Sequence, residues 1–180
     1  KRQVLHWLEM QPRFWLSGPR LGYLPAYRHG NDAGWDNATC FAEGGPLVGP
    51  DLATFLILQL DEIARLHTEV GNTAQATAAR QQADKLCEAL LTELWDGAGF
   101  VAKLQSDGRI VAIGQSLLLY LPLLLGTRLP AENRETLLSR LLQPGRYLTE
   151  RGLATEATDS PLYRANGYWR GPIWAPTTAL

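Results

Sequence analysis

Cysteine, histidine and net charge are all in short supply, and each shortage removes a class of function. The two cysteines, Cys40 and Cys87, share no motif spacing. This argues against a disulfide framework or a zinc site and reads them as buried thiols. The three histidines, His6, His29 and His67, lack ligand-like spacing; His67, inside a helical stretch, reads as a surface or hydrogen-bonded side chain. No metal or cofactor is expected. A formal net charge of -1 provides no basic field for nucleic acid. The apolar run from Leu117 to Leu125 contains Pro122 and falls well short of the ~20 residues that cross a bilayer, so no membrane partner is expected. The Gly44-Gly45-Pro46 run lacks the lysine of a phosphate-binding loop, and there is no serine-centred nucleophile elbow. No charged-then-apolar leader follows Lys1, which makes the cytoplasm the default compartment.

What remains is a globular composition. Of the 180 residues, 46% are hydrophobic and 19% charged, enough for one domain with a real core. Residues 1–9 read as the end of an amphipathic helix, and residues 11–50, rich in glycine and proline, as a long irregular segment of the kind that is usually functional. Residues 51–70 read as a helix that opens with Pro50-Asp51, is apolar nearly all round in its first half, and stops at Gly71. Asn72 or Thr73 can cap a second, amphipathic helix to Leu94, with Ala76, Ala79, Ala83, Leu86 and Leu90 on one face. A short β-hairpin is expected near 99–112, turning at Asp107-Gly108. The alternation then repeats: a mostly apolar helix over 114–126, and an amphipathic one over 130–143 with Leu137, Leu138, Leu141 and Leu142 inward. Residues 144–172 return to loop, and 173–180 open another helix. Buried helix followed by surface helix, twice over, suits a two-layer helical toroid or an ordinary bundle; without a heptad repeat it does not suit a coiled coil.

Two stretches carry chemistry. In "HGNDAGWDNA", Asp32 and Asp36 flank Trp35. The segment is either a turn in which Asp and Asn bond the backbone, or a carboxyl set beside an indole, where desolvation favours the protonated form and general-acid work. Asp36 is the candidate, with Trp35 as its neighbour and Asn37 placed to orient it. In "YWRGPIW", the aromatics Tyr168, Trp169 and Trp174 surround Arg170, Gly171 and Pro172. They are either packing around a stacked arginine, or a platform for the apolar face of a sugar with a guanidinium donating to hydroxyls.

Together, "GWDNA" at 34–38 and "YWRGPIW" at 168–174 resemble glycoside hydrolase family 63, in its branch of mannosylglycerate hydrolase-like enzymes; the family 37 trehalases share its clan. "GPDLATFLILQLDEIARL" and "ELWDGAGF" extend the resemblance over nearly the whole chain. It implies an all-α fold, part of an (α/α)6 toroid of inner and outer helices. Residues 1–180 then form a single fragment of the catalytic domain, incomplete at both ends, whose partner is the remainder of that domain. It implies inverting hydrolysis of an α-glycosidic bond in a small carbohydrate or oligosaccharide, with Asp36 as general acid. Substrate contacts fall to Trp35, Asn37, Tyr168, Trp169, Arg170, Gly171 and Trp174, and the glutamate base lies beyond Leu180. Asp32 stands where many relatives carry a glutamate and receives no role; Glu156 and Asp159 match nothing catalytic. Read without turnover, the same residues describe a carbohydrate-binding module or a helical scaffold. The scaffold predicts Trp169 and Trp174 buried in a core.

Overall fold

The computed structural model of the chain describes residues 2–179. Helix α1 (Arg2–Ser17) runs well past residue 9, with Pro12 inside it. A minimal hairpin follows, β1 (Arg20–Leu21) against β2 (Leu24–Pro25), then the short α2 (Gly30–Ala33) and a 3-10 turn at Thr39–Phe41. The glycine-rich first third is therefore irregular, as expected, only between residues 18 and 46.

Strand β3 (Leu47–Val48) leads into α3 (Pro50–Glu69), and α4 (Thr73–Leu94) returns antiparallel against it. Gly71 makes the turn at φ 80°, a left-handed conformation glycine adopts without steric cost. Asn72 occupies the α4 cap position, but its side chain does not cap; its amide instead meets His67 Nδ1 at 3.3 Å. His67 is buried, with Glu9 on its other ring nitrogen at 2.7 Å, and so ties α1 to α3 as a satisfied histidine. All five α4 positions assigned to the inner face are buried. Helix α3 packs on α1, α4 and the segment 117–128, so nearly every side of its first half is covered; Phe55 is the exposed exception.

The hairpin expected near 99–112 forms in reduced form. Leu104 and Arg109 close it, and Gly108 turns at φ 71°, but β4 (Lys103–Leu104) takes β3 as its main partner. The distant strand wins because it also covers the apolar side of Leu104 with Leu47.

The apolar stretch after residue 114 is not an α-helix. Leu117–Arg128 winds as 3-10 turns broken at Gly126, with Ser116 accepting from Leu118 N–H at its start. Pro122 lies within the run and has no N–H to donate to it. Helix α5 (Ala131–Leu141) packs on these turns. Only half its leucines face in: Leu137 and Leu141 are buried, while Leu138 and Leu142 are 44% and 53% exposed. Periodicity named the right helix but drew its apolar face too wide. A small hairpin, β5 (Leu148–Thr149) with β6 (Gly152–Leu153), and α6 (Ala175–Ala179) complete the described elements. The architecture is mostly helical with short two-stranded pairings. Among the described residues no helix is long and apolar enough to cross a membrane.

Polar ties fasten the layers. Arg128 forks onto Asp61 and also reaches Asp84, pinning the end of the 3-10 segment to both α3 and α4. Glu156 is wholly buried and accepts from Thr39 Oγ1, the Gln115 N–H and Ser160 Oγ. Both cysteines are buried, and burial pushes their thiols up.

Asp51, also fully buried, accepts from the Tyr27 hydroxyl at 2.8 Å through one oxygen, and its other oxygen has no hydrogen-bond partner among the described residues. Burial raises its carboxyl from 3.8 to about 6. The folded state therefore keeps a proton that the unfolded chain has released. Stability from this group is fully present below the unfolded value and is lost as pH rises through about 6. A shift of that size corresponds to roughly 3 kcal/mol. Comparing wild type with Asp51→Asn by urea unfolding at pH 3 and pH 7, we expect their stability difference to change by about that amount. A difference independent of pH would refute the assignment.

Candidate active site

The two chemistry-bearing stretches meet. Asp36 and Asn37 lie on the loop after α2, and the 163–174 segment folds back over them. Asn37 does the joining: its side-chain amide donates to the Gly167 carbonyl at 3.0 Å, its side-chain oxygen accepts from Trp169 N–H at 2.9 Å, and its own carbonyl accepts from Arg170 Nε at 2.7 Å. It holds the aromatic loop and does not orient Asp36. That task falls to Tyr168, whose hydroxyl donates to Asp36 Oδ2 at 2.7 Å.

The aromatic residues divide into a buried stack and an exposed edge. Trp169 sits between Trp35 on one side (4.7 Å between centroids, 36°) and Trp174 on the other (4.6 Å, 14°). With both faces occupied, Trp169 is only 9% exposed and Trp35 only 6%. Both rings are largely covered and stand behind Trp174 and Tyr168. Trp174 is half-buried and covers Trp169 with one face, and Tyr168 stands edge-on to it, 45% exposed. The burial that a scaffold predicts holds for Trp169 and only partly for Trp174.

Tyr168 is the one non-glycine residue with positive φ among those described, at 63°. A left-handed residue with a Cβ costs about 1–2 kcal/mol, and strain of this kind persists only where the surroundings over-determine it. Here they do. The Tyr168 carbonyl accepts from Trp174 Nε1 at 2.9 Å, the next N–H goes to Asn37, and Arg164 brackets the turn through Gly167 and Arg170. Gly171 is buried where a Cβ would overlap the Arg164 carbonyl, and its N–H donates to Thr155 Oγ1 at 3.0 Å.

Arg170 spends its Nε on a backbone carbonyl, and no ion pair joins it to Asp36 among the described residues. A guanidinium on the carboxyl would oppose protonation. The Tyr168 phenol is held above its ordinary value, first by its hydrogen bond to Asp36, with the nearby Trp169 indole N–H opposing; it therefore remains a donor. Asp36 itself is half-buried. Asp32 turns away to accept from the Arg28 N–H and lies near His29, a structural turn. Asp159 faces Arg146.

Two residues that the sequence did not single out matter. Thr155 anchors the aromatic loop through Gly171 N–H and the Pro172 carbonyl. Gly30 lies under the loop of Asp36, where an added Cβ would overlap the Asp36 carbonyl. A glycine in a glycine-rich segment gives no local sign of such a contact. Gly30→Ala should cost roughly 1–3 kcal/mol through overpacking, and any turnover should fall about hundredfold as Asp36 shifts. Thermal melting with parallel rate assays checks this; an alanine variant that melts and turns over like wild type would sink it.

Residues 16–180 match the family described as "Mannosylglycerate hydrolase MGH1-like glycoside hydrolase domain". No curated protein matches the chain in sequence. Among solved structures, a chain titled "Sialidase" superposes with a TM-score of 0.83 at 18% identity, covering 98% of this chain and 17% of that one. A GH63 mannosylglycerate hydrolase from Thermus thermophilus, in complex with Tris, gives 0.77 at 17% identity, covering 98% and 56%. An uncharacterized conserved protein from the same organism gives 0.78 at 17%, covering 98% and 55%. At these identities the structural likeness speaks for the fold alone. The chain spans little more than half the length of the two Thermus structures, and far less of the other.

Proposed function

The chain belongs to the mannosylglycerate hydrolase MGH1-like glycoside hydrolase family, and from that membership we propose that it carries the general-acid half of an inverting glycosidase site, in part of an (α/α)6 catalytic domain. The observation that supports this best is the Asp36 carboxyl: half-buried, held by one hydroxyl on Oδ2, unpaired with Arg170, and beside the exposed edge of Tyr168 and Trp174.

In this reading, a sugar lies against Trp174, with Trp35 and Trp169 as rigid backing. Asp36 Oδ1 gives its proton to the departing glycosidic oxygen as the C–O bond breaks. Arg170 and Asn37 set the loop, and the remaining Arg170 nitrogens donate to substrate hydroxyls. The base, a glutamate after Leu180 on the family pattern, takes a proton from the water that attacks the opposite face. Inversion requires the two carboxyl groups to stand about 6.5–9.5 Å apart, leaving room for that water. The Thermus relatives, a mannosylglycerate hydrolase structure among them and one titled as a glucose complex, suggest α-mannosides and α-glucosides as substrates to try.

The test is sugar release by the full-length protein from a panel of both, with the first-formed anomer read by NMR. We expect the inverted anomer. Retained product would overturn the mechanism, and binding without turnover would favour a carbohydrate-binding module. A helical scaffold accounts for the buried indoles but gives no reason for a strained, exposed Tyr168 on a carboxylate.

A further inference from the structure

We propose that Tyr168 is a positioning residue for Asp36, and not the sugar contact its place in the aromatic motif suggests. This rests on the reading of Asp36 as the acid. The phenol hydroxyl donates to Asp36 Oδ2 at 2.7 Å. That contact reserves Oδ2 and leaves Oδ1 as the oxygen that carries and delivers the proton. When Oδ1 gives up its proton, charge develops over the whole carboxylate. A hydrogen bond to an ionised oxygen is shorter and roughly twice as strong as one to a neutral partner, so the Tyr168 bond strengthens as the transfer proceeds. It is a donor aimed in advance at the charge that forms, which is where preorganised hydrogen bonds contribute most. The balance is simple: the proton moves from Asp36 Oδ1 to the glycosidic oxygen, the C–O bond breaks toward that oxygen, and the phenol keeps its own proton.

Two further observations fit this role. Tyr168 is held in a left-handed backbone conformation at φ 63°, a strained state that aims the side chain across to the loop of Asp36. Its carbonyl is fixed by Trp174 Nε1 and the following N–H by Asn37, so the same residue that joins the two loops also fixes the tyrosine.

The experiment uses the full-length protein as wild type, Tyr168→Phe and Asp36→Asn. Phenylalanine keeps the ring and removes only the hydroxyl. Loss of one hydrogen bond to a charged group predicts a kcat lower by about ten- to hundredfold with KM unchanged. A sugar contact predicts the reverse, a raised KM at constant kcat, and that result overturns the proposal. A second readout needs no turnover and does not depend on the phenylalanine variant folding. The Tyr168 ring titration, followed by 13C NMR, should move to lower pH in Asp36→Asn, because the carboxylate that holds its proton is gone; an unmoved titration overturns the contact. The two failures are distinguishable. If wild type turns over and Asp36→Asn does not, while Tyr168→Phe matches wild type, this inference fails and the glycosidase reading stands. If wild type releases no sugar from the panel, that reading fails and takes this one with it.

Discussion

Asp36→Asn is expected to lower turnover by the full-length protein about 10²- to 10⁴-fold, the range typical of a lost general acid. The substitution is nearly isosteric, and asparagine can still accept from the Tyr168 hydroxyl through its side-chain oxygen, so the wall should keep its shape. What disappears is the transferable proton. Two controls sharpen the result. Melting should be close to wild type, because Asp36 is half-buried and forms no ion pair among the described residues. Substrates with good leaving groups, which need little protonation, should recover much of the lost rate. If the asparagine variant retains activity on a poor leaving group, the acid is another residue and the transfer of the family pattern to Asp36 is wrong.

Trp169→Ala is expected to be the most destabilising single change at the site, by about 3–5 kcal/mol for a buried aromatic. Trp169 is the middle plate of a three-indole stack, and its removal strips a face from both Trp35 and Trp174. It also loosens Tyr168, which packs beside it. Trp174→Ala provides the contrast. Trp174 is half-buried at the outer end of the stack, so its loss should cost less stability and should act mainly on KM if its free face meets the sugar. Urea unfolding and steady-state kinetics on the pair decide the matter. Equal stability losses would mean that the stack is not layered as described, and a Trp169 variant altered in KM alone would return that ring to the substrate.

Much of the scaffold was legible because it depends on local pattern. The α3–α4 pair, its Gly71 turn and the small-residue face of α4 follow from apolar spacing at helical period, which any buried helix must show. The misreadings share one cause. Periodicity says which side of a helix is apolar, but not how far a neighbour reaches across it; Leu138 and Leu142 continue the apolar pattern of α5 where nothing among the described residues covers them. Whether the apolar run after residue 114 winds as α or 3-10 turns was decided by backbone hydrogen bonds that no spacing displays. Strand β4 found a better partner in β3 than in its own hairpin because pairing also buries side chains from a distant segment.

The same division runs through the site. The residue types alone pointed to an acid loop and an aromatic loop, because a carboxyl beside an indole and an arginine among aromatic rings each have few uses. Which side chain serves which was settled only in three dimensions. Asn37 turned out to hold the aromatic loop and Tyr168 to hold Asp36, across 130 or more residues of chain. Two of the three indoles became each other's core, and Gly30 became the floor under Asp36. Hydrogen bonds and ring stacks of this kind act over a few ångströms between atoms remote in sequence. The sequence states which groups are present, and the fold alone decides which of them are within reach.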